Sequence, residues 1–169
     1  MKRLSFLFLG LLCCMFSCNK SGQISKAEAQ KIAVSWKLIS NYREPAGSFD
    51  AKFTITNGSN FDLNNKNWTL FFSMMPRPIL PNQTSQPASV EHINGDWYKL
   101  IPAEDFKLTA GDSIVINYAG TEGVIKETDG PAGLYFVFYD ESGNEKEIVQ
   151  VGNYSIEPFL AKEQILRGP

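Results

Sequence analysis

The chain has 169 residues, 43% of them hydrophobic and 20% charged, with a formal net charge of −2. This is the composition of a single globular domain, not of a disordered or collagen-like chain. No Lys/Arg run is present, and phosphate binding needs clustered cations, so nucleic acid is not an expected partner.

Residues 1–18 read as a targeting segment and not as part of the fold. Lys2 and Arg3 form a charged start, and Leu4–Phe16 is an apolar run of 13 residues. That length suits the apolar core of a signal peptide and is too short to span a bilayer comfortably. The run ends at Met15, Phe16, Ser17 and Cys18, which resembles a bacterial lipoprotein signal, with Cys18 as the lipidated residue after cleavage. Phe16 is bulkier than the small residue usual there. Cys14 is a weaker candidate, and an ordinary secretory leader is the alternative. The resemblance implies a protein of the bacterial cell envelope, anchored to the membrane through lipid, on the periplasmic or cell-surface face. All three cysteines, Cys13, Cys14 and Cys18, lie in this segment, so the remainder has no disulfide and no thiol ligand.

Residues 19–31 are polar and read as a tether, with a possible helical turn where Ser25 and Glu28 have capping-box spacing. Period-two alternation then takes over, and residues 32–158 read as one β domain. Ile32, Val34, Trp36 and Leu38 share one face of a first strand. Phe49, Ala51, Phe53 and Ile55 share one face of a second, which stops at the turn cluster Asn57–Asn60. Trp68, Leu70 and Phe72 define a third. Residues 74–89 include Pro76, Pro78, Pro81 and Pro87, so a long irregular loop is predicted, because proline cannot donate to a ladder.

Asn94-Gly95 is the strongest hairpin signal in the chain. A two-residue turn there pairs Ile93 with Asp96, His92 with Trp97 and Glu91 with Tyr98. Two phasings compete. One turns Tyr98 and Leu100 inward and leaves Trp97 beside His92 outside. The other buries Trp97 and Ile101. Further strands follow at Ile114, Ile116 and Tyr118, at Leu134, Phe136 and Phe138, and at Ile148, Val149 and Val151. An extended exit covers Tyr154–Pro158. Residues 159–169 read as a C-terminal extension, either a short helix or loose. About eight short strands with no strand–helix alternation argue for an all-β fold, a sandwich in preference to a closed barrel.

Taken in order, Val34–Leu38, Phe53–Asn57, Trp68–Phe72, Glu91–Pro102, Leu108–Ser113 and Gly130–Tyr135 resemble the N-terminal domain of bacterial chitobiases and β-N-acetylhexosaminidases. The resemblance spans about Ile32 to Pro158. It implies an immunoglobulin-like β-sandwich, similar to cellulose-binding domains, with a role in holding polysaccharide. In those enzymes a catalytic barrel follows, whose adjacent Asp-Glu pair acts on the glycosidic bond. An adjacent pair does occur in this chain, Asp140-Glu141, but it precedes Ser142, Gly143 and Asn144 and reads as a solvated hairpin tip. A barrel needs about 250 residues. The family's catalytic pair therefore maps onto no position, and no enzymatic activity, catalytic residue or cofactor is expected of this chain.

A metal site is not expected either. His92 is the only histidine, whereas zinc sites want several His or Cys ligands. The Asn/Asp-rich stretches at residues 60–67 and 140–144 lack the ligand spacing of a calcium loop. Sugar binding asks for less: an exposed ring against the apolar pyranose face, with a few polar groups to orient it. Trp97, with His92, Asn94 and Asp96 nearby, is the expected carbohydrate site, set against an equally balanced reading of Trp97 as core. His92 itself suits a structural role beside a turn. Trp36 and Trp68 fall in clean alternations and read as core. Tyr135 and Tyr139 lie opposite Phe136 and Phe138 and would form an aromatic outer face. The expected function is a non-catalytic polysaccharide-binding module for N-acetylglucosamine-containing glycans. The alternatives are an interaction domain that packs on a hexosaminidase partner through Tyr135, Val137 and Tyr139, or a remnant of such an enzyme.

Overall fold

The computed structural model describes residues 23–43, 47–82, 84–124 and 129–158, with the side chains of residues 42 and 43 excepted. The expected leader with Cys18 and the C-terminal extension 159–169 lie outside the described residues.

A single helical turn, α1 (Lys26–Ala29), opens the described chain. Ser25 caps it by accepting the Glu28 N–H on its hydroxyl, as the capping-box spacing predicts. The segment expected to be a tether through residue 31 is nonetheless docked from Ile24 onward. Ile24 and Ala29 are both buried in the core, and the Glu28 carboxylate accepts the Asn60 N–H at 2.9 Å. Two apolar residues on one side of a turn have a surface to bury, and they bury it here.

Eleven strands follow among the described residues: β1 (Ile32–Arg43), β2 (Ser48–Asn57), β3 (Leu63–Asn64), β4 (Trp68–Ser73), β5 (Ala88–Asn94), β6 (Trp97–Pro102), β7 (Lys107–Leu108), β8 (Ser113–Gly120), β9 (Ala132–Tyr139), β10 (Glu145–Gln150) and β11 (Asn153–Ile156). They form a four-stranded sheet in the order β11-β1-β2-β8, a five-stranded sheet in the order β10-β9-β4-β6-β5, and the short pair β3-β7. The pairing is antiparallel except for β11, which runs parallel to β1. The result is a two-layer β-sandwich.

The alternation read from the sequence decides what lies between the layers. Ile32, Val34, Trp36, Leu38, Ala51, Phe53 and Ile55 come from one sheet, and Trp68, Leu70, Phe72, Tyr98, Leu100, Leu134, Phe136 and Phe138 from the other. Trp36 and Trp68 are both core residues, each 1% exposed. The middle of the core is a row of rings that crosses from layer to layer. Tyr118 stacks on Phe53 at 5.7 Å, Phe53 meets Phe72 at 5.2 Å, and Phe72 stacks on Tyr98 at 5.7 Å. Both terminal hydroxyls are satisfied. Trp36 Nε1 donates to Tyr118 Oη at 2.8 Å, and Tyr98 Oη accepts the Arg77 N–H and donates to the Arg77 carbonyl. Buried aromatic hydroxyls ordinarily need such partners.

The proline-rich segment after β4 is a strap and not a free loop. Leu80 N–H donates to the Ala119 carbonyl, and Thr121 N–H donates to the Pro78 carbonyl, both at 2.9 Å. Gln86 accepts the Asn117 N–H. The strap thus occupies the open edge of β8, an edge that would otherwise template further pairing.

The β5–β6 hairpin departs from the expected register. Asn94 pairs with Trp97, His92 with Tyr98, and Glu91 with Lys99, with a shift between His92 and Asn94. The turn residues are Gly95 and Asp96, one position later than expected, with Gly95 at φ +50°. Ile93 is the extra residue of a β-bulge, which lets two residues of one strand face one of the other. Of the two phasings, Tyr98 and Leu100 point inward, both fully buried. The expected neighbourhood of His92 and Trp97 is corrected: the bulge puts His92 over the inner ring of Tyr98, at 4.8 Å, and sets Asn94 opposite Trp97.

Candidate functional site

The outer face of the five-stranded sheet gathers the exposed chemistry. The first layer is built by parity. In β6, Tyr98 and Leu100 point inward, so Trp97, Lys99 and Ile101 point outward. Phe71 does the same on β4 between inward Leu70 and Phe72, and Tyr135 on β9 between inward Leu134 and Phe136. Cross-strand pairing brings them together: Phe71 lies opposite Tyr135 on one side and Lys99 on the other. The rings touch in sequence, Tyr135 to Phe71 at 5.3 Å and 9°, then Phe71 to Trp97 at 5.5 Å and 31°. Trp97 ends this row and is 37% exposed.

Polar groups flank the exposed indole. Asn94, its Cα partner on edge strand β5, shares its side of the sheet, because directly opposed residues of an antiparallel pair do so. Lys99 Nζ lies 3.3 Å from the Glu91 carboxylate, two pairs further along the same two strands. Asp96 is exposed at the turn, and its backbone carbonyl accepts the Met74 N–H at 2.8 Å.

Of the four residues expected at a sugar site, Trp97 and Asn94 are together on the outer face and Asp96 is at the adjoining turn. His92 is apart from them. Its Nε2 is hydrogen-bonded to the Gly95 carbonyl at 2.8 Å, so it braces the turn that carries the others. It also borders an open groove of about 380 Å³ along β5, lined by Ile79–Asn82 and Ser89–His92. Phe71 is the member that the sequence reading missed. Its signal was present, since an aromatic ring at the outward position between two inward ones has no core to enter. Tyr135 was foreseen on an outer aromatic face. Val137, expected on an exposed apolar face, is 4% exposed, covered on that face, whereas its partner Ile148 is 58% exposed.

The Asp140-Glu141 pair is at the β9–β10 turn, as its context predicts. Asp140 is committed to structure there. It pairs with Lys146 at 2.9 Å and accepts the backbone N–H groups of Ser142 and Asn144. The bond from Lys146 and those from Asn144 hold its carboxyl well below the usual carboxylate range. No group of three or more His, Cys, Asp or Glu side chains among the described residues is arranged to hold a metal ion.

Residues 26–161 match the model of the family described as "Putative carbohydrate binding domain". Among solved structures, the chain is similar to a GH20 exo-β-N-acetylglucosaminidase from Vibrio harveyi, solved in complex with N-acetylglucosamine, at 22% identity and TM-score 0.57. That alignment covers 82% of this chain and 19% of the enzyme, so the chain spans about a fifth of the length of the protein it resembles. Looser likenesses are to the chitin-binding domain of Chi18aC from Streptomyces coelicolor (17% identity, TM-score 0.44, 64% of this chain and 91% of that one) and to the CBM3b module of scaffoldin ScaA from Acetivibrio cellulolyticus (13%, 0.46, 78% and 99%). No curated protein matches the sequence.

Proposed function

The chain belongs to the family of putative carbohydrate-binding domains, and from that premise we propose that the outer face of its five-stranded sheet binds glycan at Trp97. The described domain is a non-catalytic β-sandwich module. The observation that carries the reading is the fate of the three tryptophans: Trp36 and Trp68 are sealed in the core, while Trp97 stands outside with an amide, Asn94, opposite it. An exposed indole offers a face to the apolar side of a pyranose. Asn94 and Asp96 supply donors and acceptors for hydroxyl or acetamido groups, which fits N-acetylglucosamine-containing glycans as the target class. We read the sandwich as immunoglobulin-like. The chain is lipid-anchored through Cys18 in a bacterial envelope, where such a module would hold glycan for a glycoside hydrolase partner.

The test is retention on a chitin column and on a glycan array, for the wild type and for Trp97→Ala. Wild type is retained and the variant elutes in the void, with unchanged circular dichroism. A folded wild type that is retained on no polysaccharide removes the binding proposal. A second reading, docking on a hexosaminidase chain, draws on the exposed Ile148 beside the aromatic row. It predicts co-purification with that partner, which Ile148→Asp would abolish.

A further inference from the structure

We infer that this site takes one soluble glycan chain, with a single pyranose stacked on Trp97, and that it does not lie flat on a crystalline polysaccharide. The inference rests on the glycan-binding reading above and deepens it. Its ground is the way the three outer rings meet. A platform for a crystal face needs rings side by side in one plane. Two six-membered rings so arranged keep their centroids about 6.5 Å apart, from van der Waals separation plus two ring radii. Phe71 and Tyr135 are 5.3 Å apart and nearly parallel, which requires one ring to overlap the other. Trp97 is 5.5 Å from Phe71 on its other side. Offset stacking as in the Phe71–Tyr135 pair turns ring faces toward one another and ring edges toward solvent, and Trp97, tilted 31° from Phe71, is not coplanar with it.

Phe71 therefore has a ring neighbour on either side, Tyr135 stacked on it and Trp97 tilted against it at 31°, and the least covered ring surface lies at the ends of the row. Sheet order distinguishes the ends. Beyond Trp97 lies only β5, the edge strand, so the exposed indole stands next to Asn94 at the open side of the sheet. Beyond Tyr135 lies β10, with Gln150 opposite, and Tyr135 is half-buried. The Lys99–Glu91 pair stands on the same side of the sheet as the indole. A pyranose can stack there edge-on to the sheet, and its chain can leave past β5 into solvent. A flat array of chains would meet ring edges and an ion pair.

The experiment compares soluble and crystalline forms of one polymer, using the full chain in detergent. Chitotriose and chitohexaose are titrated by calorimetry, and crystalline β-chitin is used in a pull-down, for the wild type, Trp97→Ala and Tyr135→Ala. The expected result is that both oligosaccharides bind with affinities within about threefold, that Trp97→Ala weakens them by about tenfold or more while Tyr135→Ala costs less than about threefold, and that any retention on chitin is released by chitohexaose. Retention on crystalline chitin that chitohexaose does not release, and that needs Tyr135 as much as Trp97, overturns the inference and leaves glycan binding standing. Binding to neither form removes the glycan reading and this inference with it.

Discussion

At the scale of single residues, buried tyrosines govern more than their number suggests. Tyr118 accepts the Trp36 indole N–H inside the core. Tyr118→Phe would leave that N–H buried and unpaired, a loss of about 1–3 kcal/mol. Urea denaturation should show the shift, and glycan retention should not change, since the outer face is untouched. The same hydroxyl makes the fold sensitive to alkali. Burial pushes the Tyr118 and Tyr154 hydroxyls far above their ordinary value of 10.0, and burial also raises Tyr98. The folded state therefore holds these protons more tightly than the unfolded chain. Their contribution is complete below the unfolded value and is lost as pH rises above it. Thermal melts from pH 8 to 12 should fall beyond about pH 10, less steeply in Tyr118→Phe. At this scale the sequence reading succeeded where parity alone decides: Trp36 and Trp68 point where their neighbours say they must, whereas parity leaves Tyr98 between two phasings and only the fold turns it inward. For His92 the structural role beside a turn holds, through its bond to the Gly95 carbonyl, but the expected pairing with Trp97 does not, because its register depends on one inserted residue.

At the scale of elements, the strap over β8 illustrates how a proline-rich stretch can be structural. The sequence marks residues 74–89 as a long irregular loop; the described residues up to Pro87 lie outside the named strands, whereas Ala88 and Ser89 already open β5. It does not say what the segment covers, because its partners on β8 are some forty residues away in the chain. The strap requires close approach at Gly120. A Cβ there would lie 2.5 Å from the buried ring of Phe49 and 3.1 Å from the Pro78 carbonyl oxygen. Gly120→Ala should thus overpack the junction of strap and sheet and destabilise the fold by about 1–3 kcal/mol. Gly152→Ala, with nothing within 4 Å of the added atom, is the control and should stay within about 0.5 kcal/mol. A chemical-denaturation midpoint for each variant checks the pair. The hairpin makes the same point at the candidate site. A type of turn was legible from Asn94-Gly95, but its register was not, since a bulge has no sequence signature as firm as the turn itself.

At the scale of the whole molecule, the described domain has no cysteine and is held by its two-sheet core alone. The chain's one proposed covalent attachment lies outside the described residues, at Cys18. If that residue is lipidated, Cys18→Ser should move the protein from the membrane fraction to the soluble fraction and abolish incorporation of a labelled fatty acid, with the melting temperature of the domain unchanged. Equal membrane recovery of both forms would argue for another means of attachment. What the sequence alone determined was the class of architecture and the inward faces of β1, β2 and β4, because a period of two sorts side chains to one face or the other without reference to distant strands. What only the tertiary structure decided was the surface: that Phe71 joins Trp97 and Tyr135, that Asn94 displaces His92 as the neighbour of the indole, and that Tyr135 stacks on Phe71 while Trp97 tilts against it. These are properties of register between strands, and a bulge of one residue is enough to exchange what stands on either side of a sheet.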